Sequence, residues 1–182
     1  MTEITQIRLS GLGGQGIILA GVLLGEAGAI DGKYVSGSET YGAQARGSGC
    51  KSEIVFSNAP IDFPHLTTAD ILVVMSQAAY DLFCSDIKEE SGLILYDGTL
   101  VSSRAELKIN QLGIRATEVS VKRLKNKQVA NIVLLGALIE TTKIVSPEGM
   151  QKAIALHVNE RFRALNLKAL QVGVDLRSRE HG

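Results

Sequence analysis

The chain opens on Ile4–Ser10, where isoleucine and leucine alternate with polar residues ahead of glycines at 11, 13, 14 and 16. Alternation with a period of two, followed by such a cluster, predicts a half-buried strand running into a tight turn. Beyond the turn, Ile17, Leu19, Ala20, Leu23, Leu24 and Ala27 keep helical spacing, Gly32 supplies a stop and Tyr34–Ser36 reads as a second strand, so the opening is a βαβ unit. The polar, glycine-rich stretch Gly37–Gly49 is expected to be the longest irregular segment, ahead of a strand over Ser52–Phe56 that ends near Asn58.

The second half repeats this logic. Asp70–Met75 is the apolar run that a strand buried on both faces requires, and Ser76 stands where a helix N-cap belongs, ahead of Gln77–Phe83. Leu93–Tyr96 is a further buried strand, Asp97-Gly98 a turn and Arg115–Val121 a short strand. Val129–Thr142 is an apolar helix in which Gly136 and Ala137 admit a close neighbour, and Ser146-Pro147-Glu148 opens the last helical region with a cap and a first-turn proline. The alternation predicts an α/β fold: a single layered domain over residues 1–182, with a mostly parallel central sheet, a Rossmann-like first βα turn and a frayed tail over 177–182.

Composition narrows the function. With 45% hydrophobic and 21% charged residues in 182, the chain is expected to build one soluble core. Nineteen basic residues balance nineteen acidic ones, so no global field gathers nucleic acid or an anionic membrane, and 4% aromatic content argues against a base-stacking surface. The early apolar run Ile17–Leu24 is short, glycine-interrupted and preceded by no basic region, which places the protein in the cytoplasm. Cys50 and Cys84 form no CxxC pair, and His65, His157 and His181 share no metal-ligand spacing, so no catalytic residue and no metal site is assigned.

The chemistry is therefore sought in loops. Gly11-Leu12-Gly13-Gly14-Gln15-Gly16 satisfies GxGxxG between a predicted strand and a predicted helix, the context that gives this motif its meaning. Backbone amides freed of side chains, with the helix N-terminus behind them, can hold a phosphate through charge-assisted bonds of about 1.5–3 kcal/mol each. Tight packing alone is the competing reading of the same glycines. A nicotinamide site also calls for an acid about 20 residues on, and Glu39 lies 23 beyond Gly16, which keeps a stand-alone dinucleotide domain open. The segment after Glu39 carries Tyr41, Gly42, Gln44, Arg46 and Gly47: an aromatic face, a planar cation and backbone donors. Lys122, Arg123, Lys125 and Lys127 form an unopposed basic run, read either as a solvated face or as an attractor for a phosphate. Cys50 is read mainly as a small buried hydrophobe, and Cys84 as core.

These motifs, in this order, resemble the gamma subunit of 2-oxoacid:ferredoxin oxidoreductases: the GxGGQG turn, the YGxxxRG segment from Tyr41, Pro60-Ile61 and Pro64, then Ala69 to Gln77 and Leu135-Gly136-Ala137-Leu138. The resemblance spans roughly residues 5–170, and Met75-Ser76-Gln77 followed by Ala78 and Tyr80 is most like the 2-oxoglutarate group. Two departures stand out: Ala43-Gln44 replaces a frequent proline-glutamate, and Ser48 a frequent glycine. The resemblance implies a subunit of an oxidoreductase that converts a 2-oxoacid to an acyl-coenzyme A and passes electrons to ferredoxin, with the isolated chain inactive. It implies alpha and beta subunits holding thiamine diphosphate and, in assemblies that have one, a ferredoxin-like delta subunit. Iron–sulfur clusters then belong to partners, no cofactor is tightly held here, and coenzyme A is bracketed by Gly11, Gly13, Gly14, Gln15 and Gly16 on one side and Glu39, Tyr41, Gly42, Arg46 and Gly47 on the other. A purely structural assembly subunit is the remaining alternative.

Overall fold

The computed structural model describes residues 4–42 and 48–178. The first strand, β1 (Ile4–Leu12), leads through the glycine turn into helix α1 (Ile17–Ile30) and then strand β2 (Tyr34–Tyr41). The opening is not a plain βαβ unit, because β3 (Gly49–Ser57) turns back and inserts between β1 and β2, antiparallel to both. The alternating residues from 37 to 41 belong to β2, so the irregular stretch expected there is much shorter.

Strand β4 (Ile71–Val74) lies parallel to β1, and after helix α2 (Gln77–Phe83) the strands β5 (Leu93–Asp97) and β6 (Asn110–Ile114) extend the sheet in the same direction. The spatial order is β2-β3-β1-β4-β5-β6, a mostly parallel sheet in which β3 alone is reversed.

The segment expected as a strand over Arg115–Val121 is instead helix α3 (Ala116–Leu124). Its buried residues Ala116, Thr117, Ser120 and Leu124 keep helical rather than alternating spacing. The fully buried carboxylate of Asp97 accepts from the Thr117 backbone N–H at 3.0 Å and from its hydroxyl at 2.5 Å, anchoring the first turn of the helix. Lys122 pairs with Glu118 at 2.5 Å, so one charge of the basic run is opposed within its own helix.

One face of the sheet carries most of the core. A 3-10 turn over Lys127–Val129 leads into α4 (Ala130–Thr142), every residue of which from Ala130 to Ile139 is buried. A helix apolar all round needs cover on all sides, and α6 (Glu160–Ser178) supplies the outer one. Their axes approach through facing glycines: a Cβ on Gly136 would fall on the Leu170 carbonyl oxygen, and one on Gly173 on that of Val133. Between them, α5 (Pro147–His157) is capped by Ser146, whose hydroxyl accepts from Gly149 N–H at 2.9 Å and donates to Asp31 at the end of α1. The opposite face is covered by α2 and residues 99–109, where Tyr80 is buried among Leu72, Val74 and Ile94. Helix α6 continues to Ser178, and residues 179–182 lie outside the described ones.

Gly136→Ala is expected to lower stability by about 1–3 kcal/mol or more, because backbone rather than a flexible side chain must yield. Gly25→Ala, whose Cβ meets only Val35 at an ordinary 3.6 Å, is expected to be neutral or to stabilise by up to about 1 kcal/mol. Urea midpoints of the two variants measured side by side check the contrast.

Candidate functional site

From the end of β1 the chain passes into α1 over one face of the sheet, and from the end of the neighbouring parallel strand β4 it passes into α2 over the other. In open α/β sheets such a divergence opens a crevice outside the carboxyl ends of the strands, where ligands bind.

The glycine turn stands at that divergence. Gly16 caps α1 in the left-handed region, at φ 74° and ψ 28°, a conformation that disfavours any residue with a Cβ. Its carbonyl accepts from Ala20 N–H at 3.0 Å and from the side-chain amide of Asn131 at 2.9 Å. Gln15, expected among the ligand-binding residues, spends its amide on the turn itself: the oxygen accepts from Leu12 N–H at 2.6 Å and the nitrogen donates to the Met75 carbonyl at 2.7 Å. A Cβ on Gly11 would lie 2.5 Å from that amide oxygen, so here the glycine serves packing. The role of Asn131 was not foreseen from sequence. A lone amide in the apolar run Ala130–Leu138 was its only signal.

The turn meets the carboxyl end of β2 and the start of β3. Gly13 N–H donates to the Ser48 carbonyl at 2.9 Å, and Gly42 N–H to that of Gly49 at 2.9 Å. Between turn, hairpin and α2 lies a cavity of about 410 Å³. Its walls are Ser10, Gly11, Leu12, Thr40, Gly49, Cys50 and Lys51 on the sheet side, and Ser76, Ala78, Ala79, Leu82 and Phe83 on the α2 side. Ser76 caps α2 by accepting from Ala79 N–H at 3.2 Å, as the sequence predicts. Thr40, Lys51, Leu82 and Phe83 were not anticipated.

The expected site residues divide. Gly11 lines the cavity directly. Glu39 and Tyr41 sit on strand β2, not in a loop, and pair with Ser52 and Cys50, so their side chains emerge on the α1 face. They border a separate hollow of about 480 Å³ with Gly21, Val22 and Gly25. Tyr41 is 65% exposed and donates to Glu39 at 3.3 Å, which rules out a role in capping the core. Arg46 and Gly47, with Ala43, Gln44 and Ala45, lie outside the described residues.

Beneath the cavity, Arg8 crosses the sheet face. Its guanidinium is buried, stacks 4.5 Å over Phe83, and pairs with Glu53 at 2.8 Å and with Asp86. Lys51 reaches the same Glu53 oxygen at 2.9 Å. Burial by itself raises the Glu53 carboxyl, but hydrogen bonds from Lys51 and Arg8 outweigh it and the net shift is downward. Burial, followed by the field of Glu39, pushes the Cys50 thiol upward, away from reactive thiolate. Among the described residues no three His, Cys, Asp or Glu side chains come together as metal ligands.

Fold and site together define a class: an α/β domain with helices on both faces of its sheet and a glycine turn at the crevice between them. The family model described as pyruvate ferredoxin/flavodoxin oxidoreductase matches residues 6–176. The 2-oxoglutarate synthase subunit KorC of Methanocaldococcus jannaschii is 47% identical over 94% of this chain and 92% of its own length. The keto/oxoacid ferredoxin oxidoreductase gamma subunit of Geobacter sulfurreducens superposes with a TM-score of 0.86 at 37% identity, covering 97% of this chain and 98% of that one. The 2-oxoglutarate:ferredoxin oxidoreductase of Magnetococcus marinus shares the fold at a TM-score of 0.87 and 24% identity, and this chain spans 31% of that polypeptide. The chain belongs to the pyruvate ferredoxin/flavodoxin oxidoreductase family, as a member of its 2-oxoacid:ferredoxin oxidoreductase gamma-subunit branch. No helix among the described residues is long and apolar enough to cross a membrane.

Because the Glu53 carboxyl is held below its unfolded value, about 4.3, it stabilises the fold above that pH. This contribution fades as pH falls through the lower folded value. Glu53→Gln is expected to flatten the acid side of the stability–pH curve, as read by urea unfolding between neutral and acid pH. Gly16→Ala, strained at positive φ and set against the Asn131 amide, is expected to cost at least about 1 kcal/mol, read in the same assay at neutral pH.

Proposed function

We propose that this chain is the gamma subunit of a 2-oxoglutarate:ferredoxin oxidoreductase. On this reading it works with alpha and beta subunits that carry thiamine diphosphate, with iron–sulfur clusters on partner chains and ferredoxin as the electron acceptor. Its own contribution is to contact coenzyme A and to hold the assembly together in the cytoplasm. The observation that carries the reading is the 410 Å³ cavity at the crevice, bounded by the glycine turn on one side and the β2–β3 hairpin on the other.

The chemistry of the cavity supports binding rather than bond-making. Its walls are mainly apolar, with one ammonium, Lys51, already shared with Glu53. Such a surface suits the uncharged arm of coenzyme A, while the left-handed backbone at Gly14 and Gly16 and the start of α1 offer amides to a phosphate. Ser10 and Ser76 have their hydroxyls engaged by the Cys50 carbonyl and the α2 cap. Cys50 and Cys84 are the only cysteines, whereas a cluster takes four thiolates, so the residues present do not fit an iron–sulfur centre. The names of the relatives point the same way: a 2-oxoglutarate synthase subunit in Methanocaldococcus jannaschii, and a Magnetococcus marinus enzyme with 2-oxoglutarate, coenzyme A and succinyl-CoA bound.

The dinucleotide-domain alternative loses its anchor. Strand β3 stands between β1 and β2, which sets Glu39 two strand spacings, about 10 Å, from the strand that leads into the glycine turn rather than one.

In the complex assembled with its partner subunits, coenzyme A-dependent reduction of a viologen dye is expected with 2-oxoglutarate in preference to pyruvate and indolepyruvate. Ala78→Trp, at an exposed position on the cavity wall, is expected to raise the KM for coenzyme A at least tenfold while leaving that for the oxoacid unchanged. An unchanged coenzyme A KM in the fully assembled variant would remove the cavity from the coenzyme A path and leave the purely structural role. A preference for another oxoacid would overturn the substrate.

A further inference from the structure

The sheet ends at β2, and among the described residues no strand pairs with its outer edge, although the Ser36 hydroxyl donates to the Pro64 carbonyl at 3.2 Å. Edge strands are commonly blunted by brevity, by lysine or proline, or by a bulge. The other edge, β6, is five residues long, but β2 is eight, pairs with β3 without a break in register from Tyr34 to Tyr41, and contains neither lysine nor proline.

The direction of its free groups follows from the pairing. Gly42 N–H donates to the carbonyl of Gly49, the residue opposite in register. In an antiparallel ladder bonded pairs alternate with unbonded ones, so even-numbered residues of β2 bond to β3. The N–H and C=O of Val35, Gly37, Glu39 and Tyr41 therefore point outward. Among the described residues no backbone hydrogen bond reaches that outer side.

A row of outward amides and carbonyls takes an extended backbone, and the sequence of β2 selects which one. We propose that β2 pairs antiparallel with β2 of a second copy of this chain, about a two-fold axis through Ser38, to make one continuous sheet. A two-fold axis perpendicular to the sheet requires outward-bonding residues to face one another, and with the two strands overlapped as fully as possible this leaves a register centred on Gly37 or on Ser38. Centred on Ser38, Val35 faces Tyr41 of the second copy, Ser36 faces Thr40 and Gly37 faces Glu39. The first is an aromatic–β-branched pair and the second a hydroxyl pair, both favourable across strands. The only charge in the strand then meets a glycine and no carboxylates stand directly opposite. Centred on Gly37, Glu39 would instead face Val35. The chosen register also covers Tyr41, which is 65% exposed in one copy. This pairing does not depend on the coenzyme A reading, since it uses the outward backbone groups of β2, whereas β2 meets that cavity only through Thr40, whose backbone bonds inward to β3.

Ser38 tests the register directly. On the axis it faces itself in an unbonded pair, with Cα atoms about 4.5 Å apart, inside the range a disulfide spans. Ser36 is separated from its own copy by four residues, about 13 Å. Cys50 and Cys84 are buried and do not compete. The full-length wild-type chain is expected to sediment at twice the chain mass, Ser38→Cys to become a covalent dimer under mild oxidation, and Ser36→Cys to remain monomeric on a non-reducing gel. A wild-type monomer at the highest attainable concentration would overturn the proposal. So would a wild-type dimer in which Ser38→Cys fails to cross-link, or cross-linking of Ser36→Cys as complete as that of Ser38→Cys.

Discussion

The burial of α4 is the constraint on which the rest of the molecule leans. Ten consecutive residues without a solvent-facing side leave no polar stripe, so the helix is stable only with the sheet beneath it and α6 above. That second layer requires backbones to touch at Gly136 and Gly173, which fixes how α6 crosses. At its start the same helix presents Asn131, and the bond from that amide to the Gly16 carbonyl carries the position of the core outward to the loop at the crevice. Packing and site geometry are thus one problem, solved by one element.

Much of the architecture is legible in the chain because its local signals agree with its tertiary environment. The glycine turn, the Ser76 and Ser146 caps, the buried strand after Asp70 and the close-packing glycine of α4 all stand where pattern and capping chemistry place them. The failure at Arg115–Val121 has an equally local cause. Thr117, Val119 and Val121 mimic alternation, and the deciding partner, Asp97, lies twenty residues away and is visible only once β5 and β6 are paired. β3, expected as a strand over Ser52–Phe56, escaped only in its place between β1 and β2, for a related reason: nothing in the sequence of β2 says which neighbour it will take.

The candidate site was legible as a place more than as a set of side chains. Glycine spacing located the crevice, yet half of its walls come from residues with no motif at all, such as Thr40, Leu82 and Phe83. On β2 a shift of one residue separates Thr40, on the cavity side, from Glu39 and Tyr41, on the α1 side. Polar residues clustered in sequence were therefore divided between two faces by the period of a strand, a consequence of reading as loop what folds as sheet.

The bonds that shape the glycine turn join residues 60 and 115 positions apart, through Gln15 to Met75 and Gly16 to Asn131. A loop held by its own neighbours alone would keep its shape in a partly folded chain, but here the local bonds between Leu12 and Gln15 are completed only when β4 and α4 are both docked. A ligand bound there would recognise the finished domain, and by mass action its binding energy would be added to the stability of the whole fold rather than to one corner of it. The turn is in this sense a late feature of the fold: a chain that has not docked β4 and α4 lacks two of the bonds that give it its final shape.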